Sequence, residues 1–165
     1  MRRFPDEVAA VLRGAGWAEG RRVPEMAEAA IRAVRGAGHE PFPAAERALT
    51  EFVGVYLHQD GPGVALRRSP FALDPTMAAP TARTLAAFAR VLGVRLFPLG
   101  VEGEDDAVLA IDERGRVFAI DAGGEWFLGD DLDAALVTLV TGAEPPRVDD
   151  DGTWAGQMAR SRPDQ

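Results

Sequence analysis

The chain has no cysteine and no lysine, only two histidines (His39 and His58) and only two serines (Ser69 and Ser161). Each shortage closes a class of chemistry. Without cysteine there is no disulfide, no thiolate nucleophile and no thiolate metal ligand. Metal centres built on imidazole need histidines clustered with other ligands, and His39 and His58 lie on different segments, so a site needs the fold to bring them to a carboxylate. Without lysine a phosphate loop ending in G-K-[ST] cannot be written. Neither serine stands in a G-x-S-x-G setting. The glycines of GAGWAEG, at 14–20, follow no strand pattern and are no dinucleotide fingerprint. No apolar run approaches the roughly 20 residues that span a bilayer, and the opening MRRFPDEVAA has no apolar stretch of signal-peptide length. The expectation is a cytoplasmic protein with no cofactor, no metal, no membrane contact and no enzymatic activity.

What is present fits one soluble domain. The 165 residues are 47% hydrophobic, enough for a single core. Charge is divided unevenly along them. Residues 1–95 carry a net +3, whereas residues 96–165 carry −11, within a total of −8. An acidic half of this strength repels nucleic acid and anionic membrane and steers basic partners, although a solvated surface accounts for it equally well.

The stretch from 96 to 142 organises the fold. Apolar runs at 107–111, 117–120 and 126–128 are separated by DERG (112–115) and DAGGE (121–125), polar connections carrying glycine. These are hairpin signals, so the segment reads as an antiparallel meander. A helix follows from Asp130 as N-cap to Gly142. Upstream, helices are expected at 5–13, 24–36, 43–54 and 81–92, each with an apolar stripe, proline near the start or glycine at the end. Strands are expected at 55–57 and 64–66, and 69–80 reads as irregular, with three prolines. Pro98 marks its strand as an edge or a strand entry. The fold class is α+β: one domain over residues 1–144, with an antiparallel or mixed sheet packed by several helices. Residues 145–165 read as an acidic, flexible tail.

Carboxylates are plentiful. Asp130, Asp131 and Asp133 suit a helix N-terminus, and Asp149–Asp151 lack the spacing of a calcium loop. The acidic loop after the PLG element is the candidate for partner contact: Glu102, Glu104, Asp105 and Asp106, with Asp121 and Glu125 beside the meander turn. Trp17 and Trp126 read as core residues. Trp154, alone in a charged tail, reads as docking back on the domain or touching a partner.

The order of motifs resembles the SUKH (Smi/Knr-like) superfamily of immunity proteins, most closely the subgroup common in actinobacteria. The elements that carry the resemblance are LRGAGWAEGR (12–21), ALTEFVGVYL (48–57), FALDP (71–75), LGVRLFPLG (92–100), IDERGRVF (111–118) and FLGDDLDAALVTLVTG (127–142). Two positions depart from it. Val53-Gly54 stands where members often have Gly-Gly, and Val101 precedes Glu102 where an acidic residue often follows PLG directly. The resemblance implies a SUKH-like α+β binding protein whose partner is a cognate bacterial toxin, in a polymorphic toxin system, neutralised by stoichiometric occlusion. It assigns no contact residues, so the six carboxylates rest on charge alone. A regulatory or scaffold module of the same fold, and a small hydrolase using paired carboxylates, are the alternatives.

Overall fold

The computed structural model describes residues 2–103 and 107–157. These form five α-helices and one six-stranded sheet. The strands are β1 (Val55–Leu57), β2 (Phe71–Leu73), β3 (Leu96–Glu102), β4 (Ala107–Asp112), β5 (Val117–Asp121) and β6 (Gly124–Gly129). They lie side by side in chain order and every neighbouring pair is antiparallel, so the sheet is a pure meander. The helices are α1 (Asp6–Gly14), α2 (Pro24–Arg35), α3 (Pro43–Phe52), α4 (Ala82–Leu92) and α5 (Leu132–Thr141). This is an α+β fold.

Period-two alternation divides the apolar side chains between two cores. Leu109, Ile111, Val117, Ala119 and Leu128 face one way and pack with α1, α2, α3 and α5. Val108, Ala110, Phe118, Ile120 and Phe127 face the other way and pack with Leu85 and Phe88 of α4, Val148 and Trp154. Strands β3, β4 and β5 are therefore covered on both faces, which explains their near-continuous apolar sequence.

Charged residues staple the helical layer. Arg3 donates to both carboxylate oxygens of Glu51 at the end of α3, at 2.7 and 3.0 Å, and to both of Asp133 at the start of α5, at 2.6 and 2.8 Å. Its guanidinium also lies 5.8 Å from the Trp17 ring centre. Trp17 stacks on Phe52 and donates its indole N–H to Glu51 at 2.9 Å. Arg21 donates to the carbonyls of Glu51 and Val53, which α3 itself leaves without partners. The Trp and Arg of LRGAGWAEGR thus serve the same helix end.

The β4–β5 hairpin is built around Asp112, whose buried carboxylate accepts from the backbone N–H of Arg114 (2.9 Å) and Arg116 (3.0 Å) and from Arg116 Nε (2.6 Å). At the other end of the meander Asp131, not Asp130, caps α5, accepting from Ala134 N at 2.8 Å. β6 runs through Gly129, which moves the extended capping residue one position along.

Several expectations are corrected. Residues 64–66 are not a strand: the N–H groups of Val64, Ala65 and Leu66 donate to the carbonyls of Thr141 and Gly142 at 2.8–3.0 Å, capping the end of α5. The second strand is instead Phe71–Leu73, in the proline-punctuated stretch, and a 3-10 helix follows at Pro75–Thr81. Pro98 lies in an interior strand. It is tolerated there because β2 pairs only with Val101 and Glu102, and because the β3–β4 register shifts between Pro98 and Gly100.

The expected flexible tail is folded as far as Gln157. Phe127 donates to Pro146 O (3.0 Å) and Val148 to Glu125 O (2.8 Å), so residues 146–148 line the edge of β6. Trp154 is buried, stacked on Phe127 at 4.6 Å and edge-on to Phe118 at 5.6 Å. An apolar ring needing cover and an open strand edge hold the segment, whatever its charge. Trp154→Ala is expected to cost about 3–5 kcal/mol of stability and to make residues 145–157 cleavable. Thermal melts with limited proteolysis read both effects.

Candidate partner-binding site

A bulge sets which carboxylates meet. Phe97 and Leu99 of β3 both belong to the core under α1, α2, α3 and α5. Unbroken alternation would send Val101 to that side and Glu102 away from it. One extra residue at Leu99 reverses the order: Val101 joins the core beneath α4, and Glu102 turns to the other face. Gly100 permits this because a methyl there would stand 1.8 Å from the carbonyl oxygen of Ala72 on β2. The PLG element is this bulge.

Glu102 pairs with Ala107 on β4, and the β4–β5 register sets Ala107 level with Asp121. The two carboxylates therefore flank an alanine on the same face, on strands about 10 Å apart. The small methyl group leaves space between them. A cavity of about 370 Å³ opens there, walled by Trp126, Leu128 and Leu139, with Leu66 and Arg67 on one side and Glu144 on another.

The rim on the Leu66 side is held in place by the hydrogen bonds from residues 64–66 to the end of α5. Gly63 and Gly142 make that approach possible. A methyl on Gly63 would stand 2.7 Å from Gly142 Cα, and Gly142 takes the left-handed conformation at φ +70°. Val64, 81% exposed, and Leu66, 46% exposed, consequently project from a fixed loop.

The electrostatics of the cavity are unbalanced. Burial, and then the charge of Asp121, push the Glu102 carboxyl above its ordinary range. Its carboxylate takes no hydrogen bond or ion pair from any described residue. Among the described residues, Asp121 accepts only the backbone N–H of Gly123, at 2.7 Å. The cation at the rim, Arg67, is already bonded to Asp60 through Nε at 2.9 Å.

Of the six carboxylates singled out from charge, Glu102 and Asp121 share this cavity. Glu125 does not: it pairs with Ile120, so it belongs to the face packed by α4. Glu104, Asp105 and Asp106 lie outside the described residues. Trp126, expected in the core, is half-buried and forms a cavity wall. Its place beside Ala119 follows from pairing register, which the order of residues does not display. Tyr56 is half-exposed, with its hydroxyl donating to Asp74 at 2.9 Å.

Other chemistries find little here. His39 is buried against Phe97 with its ring bonded to Ala79 O at 2.9 Å, while His58 is exposed after β1. Among the described residues no group of three His, Cys, Asp or Glu could hold a metal ion. No described helix is long and apolar enough to cross a membrane.

A meander sheet under a helical layer, with a cavity lined by two carboxylates at one end, makes this an α+β domain. The family model for the SUKH-3 immunity protein matches residues 4–142. The chain therefore belongs to the SUKH-3 immunity protein family, and membership carries the general role of immunity against a toxin. No curated protein and no solved structure matches it.

A site carboxylate held without a partner costs the fold stability. Glu102→Gln is expected to raise stability at neutral pH by on the order of 1 kcal/mol, or about 2–4 °C in Tm. The sign follows from linkage. With its carboxyl raised above the ordinary 4.5, the folded state holds more protons than the unfolded one, so stability falls as pH rises through that window. The gain from Glu102→Gln is therefore expected at about pH 7.5 and to vanish near about pH 4. Melts of both proteins across pH check it, and a constant difference would contradict the account.

Proposed function

We propose that this protein neutralises a bacterial toxin by binding it one to one and covering its active or substrate-binding surface, without itself catalysing a reaction. The site of action is the cytoplasm, and the contact face is the end of the sheet where Glu102 and Asp121 meet. The observation that carries this reading is the pairing of family membership with a cavity whose two carboxylates have no cationic partner among the described residues. Toxins that act on nucleic acid need basic clefts to hold phosphate, and a carboxylate-rich face competes for such a cleft. The four acidic residues of 102–106 lie together in the chain and add to its negative charge. Such charge accelerates encounter more than it adds affinity.

A carboxylate-dependent hydrolase is the second reading, favoured by one observation: Glu102, harder to ionise than usual, shares a cavity with Asp121. That is the asymmetry an acid–base pair requires. Family membership, and a position where the same asymmetry serves binding, favour the first reading.

The test is capture of the toxin encoded beside the gene, followed by association kinetics. A one-to-one complex is expected whose association slows as salt rises. Changing Glu104, Asp105 and Asp106 together to Arg is expected to slow association at low ionic strength about tenfold or more, with thermal stability retained. Unchanged association rates in stopped-flow would remove the electrostatic part of the proposal.

A further inference from the structure

The cavity has a shape as well as a charge. Glu102 and Asp121 approach it from two strands separated by the short side chain of Ala107, so they present oxygens from two sides of one space. No described residue forms an ion pair with either, and Arg67 at the rim bonds Asp60 instead. A single bound cation would have to donate in two directions at once. An ammonium is a compact point charge, whereas a guanidinium carries five N–H donors in a planar fork.

The walls favour the same group. Trp126, Leu128 and Leu66 are apolar surface suited to the methylene stem of a long cationic side chain. Indole is the best aromatic face for a cation, and Trp126 already lies 5.9 Å from the guanidinium of Arg147. Outside the cavity, Val64 and Leu66 stand exposed on a loop that three backbone hydrogen bonds hold against α5. A charged anchor ringed by apolar contacts, which would exclude water once a partner is seated, is the anatomy of an interface hot spot.

We infer that this cavity is a socket for one arginine side chain of the toxin, with its guanidinium set between Glu102 and Asp121 and its stem against Trp126. The inference rests on the toxin-binding reading and names the part of the toxin that the site grips. An arginine taken from a basic cleft would be removed from the work of holding phosphate, so the same contact would block the cleft and anchor the complex.

The test uses the intact protein and N-acetyl-arginine amide as probe, with N-acetyl-citrulline amide as the uncharged control of nearly equal shape. NMR follows the Trp126 indole N–H and the Glu102 carboxyl carbon. Saturable shifts at both groups are expected with the arginine probe, at least tenfold weaker with citrulline and lost in Glu102→Gln. Equal responses to the two amides, or a response that survives Glu102→Gln, would overturn the socket. In the complex, Glu102→Gln and Trp126→Ala are each expected to raise Kd at least tenfold. A complex of unchanged affinity in Glu102→Gln overturns the socket while leaving neutralisation standing, and absence of any complex overturns both.

Discussion

The extra residue at Leu99 decides which side of the sheet Glu102 faces. Side chains in a strand alternate strictly, so a shift of one residue exchanges the faces of everything beyond it. Here the bulge lies between a stretch of β3 that fills the helical core and the two residues that end the strand. Beyond it Val101 is buried under α4 and Glu102 reaches the face that carries Asp121. The bulge in turn depends on Gly100, because the backbone of β2 passes where any larger residue would place its Cβ. A backbone constraint between neighbouring strands is thus what brings two carboxylates into one cavity.

The rest of the chain holds that arrangement still. Arg3 ties the ends of α1, α3 and α5 together through Glu51 and Asp133, and the indole of Trp17 joins the same cluster. The end of α5 is capped by the loop that forms the cavity rim, so the packing of the helix and the position of Leu66 are one property. On the opposite face Arg116 links the β4–β5 hairpin to the C-terminal segment, bonding Asp112 and lying 5.4 Å from the Trp154 ring. Glu102 stands out against this economy of paired charges. It is a half-buried carboxylate that takes no hydrogen bond or ion pair from any described residue.

Much of the fold was legible because local chemistry and tertiary structure agree in most of it. Helix starts at Pro24 and Pro43, the stops at Gly93 and Gly142 and the hairpin at Asp112–Gly115 all declare themselves by backbone preference. The failures occur where tertiary partners outrank local pattern. Val64–Leu66 looks like a strand, but its N–H groups serve a helix end far along the chain. Phe71–Leu73 is too short to announce itself between Pro70 and Pro75, and is a strand only because β1 and β3 flank it. Charge alone groups Glu102, Asp121 and Glu125 and does not say which face each takes. Only the pairing of Ile120 with Glu125 reveals that Glu125 faces the other way. Trp126 was hidden for the same reason. The family motifs AGW–GR, PLG and IDERGRVF turn out to be a helix-end clamp, a bulge and a carboxylate-centred turn, so they identify the scaffold rather than the contact surface.

The proposed occlusion asks for a scaffold, a negative face and a place for an anchor, and the proposed site puts these at one end of the sheet. The most direct test is hydrogen–deuterium exchange on the protein alone and in complex with the toxin encoded beside it. The account requires protection at the cavity and its rim, in residues 62–68, 100–103, 121–126 and 139–145. Protection confined to α2 or to the exposed side of α4, with those segments unchanged, would contradict it.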